Sequence, residues 1–251
     1  MEKSIDTNPL IKKFSSLLEL NDQEKKLLFS LQDSVETLPA KTDIVKEGEQ
    51  FPATYIIQDG WAYHYKLLDD GRQQVLNYSI RGDFIGLHST LVNQAEHSIS
   101  SLTDLTVSKT HPEQVMRLFS ETPRLAAAIC WLSVRESSLL AEQVTRIGRR
   151  SAYERTAHLI LELLRRLEAV GLSAEGSYEF PISQELIADT LGLTPVHTNR
   201  TFRSLKKDGL IDYTSNTMIV VNRPELRKVA GFDPAYLQQP TLPEDLSGPG
   251  E

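Results

Sequence analysis

Apolar and polar residues follow two different periodicities in the first half of the chain. Residues 10–32 show helical spacing, and Asn21 with Glu24 three positions later is typical of a capping box. From about residue 44 to 109, short β-branched and aromatic runs alternate with turn residues. Asp70-Gly71 between two runs indicates a hairpin, because the favoured two-residue turns need a positive φ. The predicted strands are Thr54–Gln58, Ala62–Leu67, Gln73–Ser79 and Val107–Lys109, which favours a sandwich or barrel.

A long helix is predicted next, beginning at Thr122-Pro123 and free of glycine and proline up to Gly148. Its roughly 25 residues would form a rod of about 37 Å. The pattern is compatible with a core helix or with a dimer seam along Leu125–Ile147, and it does not decide between them. The apolar stripe on this helix comprises Leu125, Ala128, Ile129, Leu132, Leu139, Leu140, Val144 and Ile147.

The C-terminal half contains a helix, a glycine turn and a second helix. Ser183 can cap a helix that ends at Gly192, and Thr194 with Pro195 can begin another that ends at Asp208. This arrangement predicts a helix-turn-helix. Two apolar runs then follow, Leu210–Tyr213 and Met218–Val221, and they predict the β-hairpin wing of a winged helix.

The second of these helices carries side chains suited to DNA. Val196, Phe202 and Leu205 are its expected inward residues, whereas the outward residues can reach bases or phosphates. Residues 195–207 contain four basic residues and no acid, although the whole chain has a net charge of −7. The alternative is a solvated polar face on an ordinary helix pair. The predicted DNA-binding residues centre on the cap Thr194 and its helix, and include His197, Asn199, Arg200, Arg203, Lys206 and Lys207.

Composition narrows the possible functions further. Cys130 is the only cysteine, so one chain can form neither a disulfide nor a cysteine-ligated iron–sulfur cluster, and we expect Cys130 to be a small buried apolar residue. No apolar run approaches the about 18 residues of a membrane span, and Met1–Pro9 lacks the core of a signal peptide. We therefore expect a cytoplasmic protein without membrane contact. No catalytic or metal-ligand motif is present, so we expect neither an enzyme nor a metal site.

The segment YIIQDGWAYHYKLLDDGRQQVLNYSIRGDFIG, from Tyr55 to Gly86, and the segment LGLTPVHTNRTFRSLKKDGLI, from Leu191 to Ile211, resemble the Crp–Fnr family of bacterial transcription regulators. The resemblance covers nearly the whole chain. It implies an α+β fold: a cyclic-nucleotide-binding-like β-roll with preceding helices at 1–121, a dimerisation helix at 122–148, a winged helix-turn-helix at 149–232 and a flexible tail at 233–251. It also implies a homodimer that binds palindromic double-stranded DNA and contacts RNA polymerase.

By the same resemblance, the DNA-reading positions of the family fall on Pro195, Val196, Asn199 and Arg200. Val196 stands where many members have a glutamate, so we expect a different half-site. The alternative is an adaptor that keeps the β-roll fold but binds proteins instead of specific DNA.

The resemblance also locates an effector pocket in the β-roll. Leu87, His97 and Ser98 replace the glutamate, arginine and serine that hold the phosphate in cyclic-AMP-binding members. A phosphate without the arginine loses a charge-assisted bond, so we do not expect cyclic AMP to bind. His88 and His97 are candidate ligands for heme or an anion, or they are structural histidines. The predicted pocket residues are Gly86, Leu87, His88, His97, Ser98 and Leu140, and the signal itself is not identified.

Overall fold

The computed structural model describes residues 5–51, 53–87, 94–214 and 216–238, and these form two compact units. The first unit contains residues 5–64 and 78–135, and the second contains residues 65–77 and 136–238. The units differ from the predicted domains in two places. Residues 65–77, expected in the sensor domain, group with the C-terminal unit, and the division falls inside the long helix.

The first unit opens with a 3₁₀ turn at Ile5–Thr7 and two short helices, α1 (Pro9–Ser15) and α2 (Asp22–Ser30). The predicted capping box is confirmed, because Asn21 accepts from the Glu24 N–H and the Glu24 carboxylate accepts from the Asn21 N–H. The apolar residues of these helices form a core with Phe84, Val115 and Leu125.

Antiparallel strands form the rest of the first unit and the hairpin of residues 65–77. The strands are β1 (Val35–Leu38), β2 (Asp43–Val45), β3 (Thr54–Asp59), β4 (Ala62–Leu67), β5 (Gln73–Ser79), β6 (Phe84–Ile85), β7 (Ser98–Ser101) and β8 (Leu105–Thr110). They pair in two four-stranded sheets, in the orders β1-β8-β3-β6 and β2-β7-β4-β5. The predicted hairpin at Asp70-Gly71 is confirmed, but its loop is not a two-residue turn. The Leu68 N–H donates to the Arg72 carbonyl, and of Asp70 and Gly71 only Gly71 has a positive φ, of 82°.

Two helices follow the strands, α3 (Pro112–Glu121) and α4 (Pro123–Arg149). The sequence reading missed α3, although Pro112 occupies its first turn and the Gln114 side chain accepts from the His111 N–H. Helix α4 is as long as predicted. The first part of its apolar stripe, however, packs within the chain, because Leu125, Ala128 and Ile129 belong to the core of the first unit.

The exposed side of α4 carries part of the predicted stripe together with residues outside it. Val134 is 63% exposed and Val144 is 65% exposed, whereas Leu139 is buried. Cys130 is also exposed, so the expectation of a buried cysteine was wrong. Helix α4 can therefore pack on the core of the first unit through its buried residues and present its exposed residues to a partner.

The second unit contains the remaining helices and a small antiparallel sheet of order β11-β12-β10-β9. Its elements are α5 (Ala152–Ala169), β9 (Ser173–Ala174), β10 (Ser177–Glu179), α6 (Gln184–Leu191), α7 (Pro195–Lys207), β11 (Ile211–Tyr213), β12 (Thr217–Val220) and α8 (Arg223–Ala230). A 3₁₀ turn at Pro234–Leu237 follows α8, and its Tyr236 hydroxyl donates to Glu162 on α5. Residues 233–238 are therefore not part of a flexible tail as expected, and residues 239–251 lie outside the described residues.

Candidate nucleic-acid interface

Helices α6 and α7 form the predicted helix-turn-helix, and local chemistry fixes each boundary. The Ser183 side chain caps α6 by accepting from the Leu186 N–H. Gly192 ends the helix in the left-handed conformation, with φ of 63°, where a side chain would be strained. The Thr194 hydroxyl then accepts from the His197 N–H, and Pro195 occupies the first helical position of α7.

The buried side of α7 packs against α5, α6 and the hairpin that follows α7. Its buried residues are Thr198, Thr201, Phe202 and Leu205. The Phe202 ring contacts Tyr213 on β11 with ring centroids 5.3 Å apart. Val196 is 72% exposed, so its expected inward position was wrong. The same exposure is compatible with the DNA-reading position that the family resemblance assigns to Val196.

Apart from Pro195 and Val196 in its first turn, the outward side of α7 is polar, basic and free of acids. Pro195, His197, Arg200, Arg203 and Lys207 are all exposed. Within the described part of the chain, neither Arg200 nor Arg203 forms a hydrogen bond or an ion pair. Both guanidinium groups are therefore available to an external acceptor such as a guanine edge or a phosphate.

Two other predicted contact residues have partners inside the protein. The Asn199 Nδ2 atom donates to Gln184 Oε1 on α6 at 2.7 Å. The Lys206 ammonium forms an ion pair with Asp212 on β11 and lies 5.4 Å from the centroid of the Tyr213 ring. The hydrogen bond from Lys206 lowers the pKa of Asp212, and the same bond raises the pKa of Lys206.

The C-terminal end of α7 is attached to α5 through a tyrosine. The Tyr153 hydroxyl donates to Asp208 Oδ2 at 2.6 Å. Burial, and then the hydrogen bond to the Asp208 carboxylate, raise the pKa of Tyr153 to about 12, so this hydroxyl stays a donor at neutral pH. The contact limits movement of α7 relative to α5.

The C-terminal end of α6 is held by glutamines that the sequence reading did not single out. Gln73 Nε2 donates to Asp189 Oδ2 at 2.8 Å, and Gln74 Nε2 donates to the Thr190 carbonyl at 3.1 Å. Gln143 Nε2 on α4 donates to the same Thr190 carbonyl at 2.6 Å. These contacts join residues distant in sequence, so no local pattern could have revealed them.

Strands β11 and β12 form the predicted wing beside α7. They pair in antiparallel register, from Ile211 with Val220 to Tyr213 with Met218. The Thr214 N–H donates to the Thr217 carbonyl and closes the turn. A cavity of about 400 Å³ opens between this wing and α6, lined in part by Gln184, Phe202 and Thr214.

The predicted effector-pocket residues lie in different local environments. Gly86 has φ of 73°, and an added Cβ would lie 2.4 Å from the Phe51 ring, so glycine is required there. Leu87 is buried in the core of the first unit. The Ser98 hydroxyl accepts from the Glu47 N–H. Leu140 belongs to the second unit and is 49% exposed.

His97 is hydrogen-bonded to a second histidine that sequence reasoning missed. His97 Nε2 lies 2.8 Å from His64 Nδ1, and His64 Nε2 lies 2.7 Å from Ser79 Oγ. Alternation along β4 puts His64 on one face with Ala62, which is the signal that could have suggested an inward histidine. His88 lies outside the described residues. Among the residues that the structure describes, no group of three or more acidic, histidine or cysteine side chains could hold a metal ion.

Comparisons with known proteins agree with this arrangement. Residues 154–229 match the Crp-like helix-turn-helix domain, and residues 35–122 match the cyclic nucleotide-binding domain. The transcriptional activatory protein AadR of Rhodopseudomonas palustris is 33% identical over 174 residues, covering 68% of this chain and 70% of that protein. The nitrogen fixation regulation protein FixK of Bradyrhizobium diazoefficiens is 33% identical over 168 residues, covering 67% and 70%.

A solved structure shows the same fold. FixK2 from Bradyrhizobium japonicum superposes with a TM-score of 0.71 at 24% identity, covering 78% of this chain and 96% of that chain. None of the helices within the described ranges combines the length and the apolar composition that a membrane span requires.

The winged helix-turn-helix, with its basic outward face, defines a DNA-binding transcription regulator, and the matching relatives are regulators and not enzymes. The chain belongs to the Crp–Fnr family. Regulators of this family bind DNA and dimerise, and a palindromic binding site is typical of them. The predicted family, fold class and general function are thereby confirmed.

Proposed function

We propose that two copies of this chain bind a palindromic DNA site, each inserting α7 into the major groove. The observation that carries this proposal is the outward face of α7, where Asn199, Arg200 and Arg203 extend from a helix whose other side is buried. A recognition helix in the major groove reads bases through such residues near its N-terminal end. Two-fold symmetry then predicts half-sites about 34 Å apart, one helical turn of DNA.

Each outward residue has a role that follows from its chemistry. Arg200 reads guanine through two hydrogen bonds, and Asn199 reads adenine. Val196, which is exposed and apolar, suits the methyl group of thymine. The remaining residues lie around these three and suit the sugar-phosphate backbone. They are the helix cap at Thr194-Pro195 and the side chains of His197, Arg203 and Lys207. We assign Lys206 to positioning the wing, because Asp212 already binds its ammonium group.

The dimer contact that we propose is a seam on α4. Six exposed residues recur at alternating steps of four and three, namely Cys130, Val134, Ser137, Ala141, Val144 and Gly148. This is the heptad spacing of two helices that pack side by side. Small residues at these positions allow close approach of the helices. The occupant of this face is a second copy, since regulators of this family dimerise.

The domain roles follow from these assignments. We propose that residues 1–121 form the sensor, residues 122–148 the dimerisation helix and residues 149–238 the DNA-binding domain, which extends to the 3₁₀ turn at Pro234–Leu237. By analogy with the relatives named as activators, we propose that the dimer contacts RNA polymerase. A protein that acts on chromosomal DNA in this way works in the cytoplasm.

The sensor responds to a signal other than cyclic AMP in our proposal. Leu87 and His97 stand where cyclic-AMP-binding members have charged phosphate partners, and Leu87 is buried in the core. The polar cluster of His64, His97 and Ser79 is the candidate effector contact. Calorimetry with cyclic AMP should therefore give no binding below about millimolar concentration, and micromolar affinity would contradict this part of the proposal.

The experiment that tests the DNA-binding function is a map of all genomic fragments bound by the purified protein. We expect an enriched palindrome whose half-site centres are about one helical turn apart. The matched control is the Arg200→Ala/Asn199→Ala double variant, which should lose this enrichment but keep weak binding that decreases with salt. Equal recovery of random fragments by the unchanged protein would support a protein-binding adaptor instead.

A further inference from the structure

We infer that Gln184 controls base specificity by holding Asn199 in the orientation that reads DNA. The Nδ2 atom of Asn199 donates to Oε1 of Gln184 at 2.7 Å, which links the first residue of α6 to the second turn of α7. Gln184 is here a positioning residue, because it acts on the DNA through Asn199. The inference rests on the proposed role of Asn199 as a base reader.

This contact determines which atoms of the Asn199 amide are left to face a base. The amide has two N–H donors on one side and a carbonyl acceptor on the other. To read adenine, it must present one N–H to N7 and its carbonyl to the N6 amino group. Gln184 takes one N–H, which leaves the other N–H and the carbonyl for the base. A half-turn of the Asn199 amide alone would place its carbonyl against Oε1 of Gln184, and two acceptors cannot bond to each other, so this hydrogen bond is kept only if the Gln184 amide turns as well.

Both backbones that carry this pair are fixed. Gln184 directly follows the capping residue Ser183, whose side chain accepts from the Leu186 N–H. On α7, Asn199 follows the fully buried Thr198 and precedes the buried Phe202 by three positions. Gln184 and Asn199 are themselves half-buried. The hydrogen bond therefore joins two rigid supports, and it restricts the Asn199 amide before DNA arrives.

The neighbouring reader lacks such a restraint. Arg200 is exposed and has no hydrogen-bond partner within the described residues. Loss of the Gln184 acceptor should therefore change discrimination at the base read by Asn199 and leave discrimination at the base read by Arg200 unchanged. A residue that merely stabilised the helix-turn-helix would weaken discrimination at both bases together.

The test compares two substitutions of similar size in the full-length protein. Glu in Gln184→Glu can still accept from Asn199, whereas Met in Gln184→Met cannot. Affinity is measured for each protein against every single-base change in one half-site of the palindrome. We expect Gln184→Met to lose about tenfold discrimination at one position, the size that a single bidentate base contact supports. Gln184→Glu should keep that discrimination while binding every sequence several-fold more weakly, because its charge repels phosphate.

Two further variants separate this inference from the proposed function. Asn199→Ala alone should lose discrimination at the same position, and Gln184→Met added to Asn199→Ala should have no further effect on specificity. If Asn199→Ala keeps full discrimination, the proposed role of Asn199 itself is wrong. If Asn199→Ala loses it but Gln184→Met does not, or if Gln184→Glu loses it equally, the inference about Gln184 is overturned. Thermal unfolding of each variant checks that the fold is kept.

Discussion

The guanidinium group of Arg146 donates to the Glu162 carboxylate inside the second unit, with 2.5 Å between Nη2 and Oε2. Both side chains are at least 95% buried. Arg146 Nη1 also donates to Gln143 Oε1 at 2.6 Å, and the Tyr236 hydroxyl donates to the same Glu162 oxygen at 2.8 Å. One ion pair thus joins α4, α5 and the 3₁₀ turn at Pro234–Leu237.

Replacing Arg146 with Met should destabilise the protein strongly, since it leaves the Glu162 carboxylate buried without its cation. Removal of one partner from a buried ion pair costs about 3–5 kcal/mol. Urea unfolding measures this loss. The double variant Arg146→Met/Glu162→Met should recover part of it, because apolar pairs of similar volume replace buried ion pairs well. A double variant less stable than the Arg146→Met single variant would contradict this account.

His158 should make stability depend on pH. Burial, and then the positive charges of Arg146 and Arg150, lower the pKa of His158 from 6.5 to about 2. Its Nε2 atom lies 3.3 Å from Glu142 Oε2, without hydrogen-bond geometry. The unfolded chain binds a proton at His158 below about pH 6.5, whereas the folded chain stays neutral there. The free energy of unfolding should therefore fall as pH falls below 6.5, by up to about 1.4 kcal/mol per pH unit.

The matched variant for this prediction is His158→Gln, which removes the titrating group and keeps a polar side chain. Urea unfolding of both proteins at pH 7.5, 6.5, 5.5 and 5.0 isolates the contribution of His158, because their other groups titrate alike. The stability advantage of the unchanged protein over His158→Gln should shrink below pH 6.5. An advantage that stays constant down to pH 5.0 would mean that His158 gains its proton in the folded state as readily as in the unfolded chain.

Arg200→Ala should weaken specific DNA binding by about 1–3 kcal/mol and relax preference at one base. Its guanidinium has no competing partner among the described residues, so the loss is not compensated from within the protein. Fluorescence anisotropy with the palindromic site measures the effect. Lys26→Ala, which removes an exposed positive charge from α2 in the first unit, is the control and should bind normally. Unchanged affinity and preference in Arg200→Ala would remove Arg200 from the base readers.

The sequence alone predicted those features of the structure that depend on local chemistry. Ser183, Gly192, Thr194 and Pro195 act within one turn of their own position, so the helix boundaries of the helix-turn-helix could be read directly. The Asp70-Gly71 turn is local in the same sense. Such signals, together with the family resemblance, were enough for the fold class and for the general function.

The sequence alone did not predict the burial or the partners of side chains whose surroundings come from distant elements. The apolar stripe of α4 has helical spacing, but spacing cannot say that Leu125 packs on its own domain while Val144 is exposed. Val196 was expected inside for the same reason. The pairs Gln184 with Asn199 and His64 with His97 join separate elements, and no periodicity predicts them.

The seam on α4 leads to a final prediction, on assembly. Val144 is 65% exposed and occupies a position that faces its own copy across the two-fold axis in the proposed dimer. In Val144→Asp, two carboxylates would lose water and meet like charge. We expect a monomer in sedimentation or light scattering at micromolar concentration, and at least about tenfold weaker binding to the palindrome. Val221 has a similar exposure, 59%, but lies outside α4, so Val221→Asp should remain dimeric. A Val144→Asp protein that stays dimeric and binds normally would place the dimer contact elsewhere.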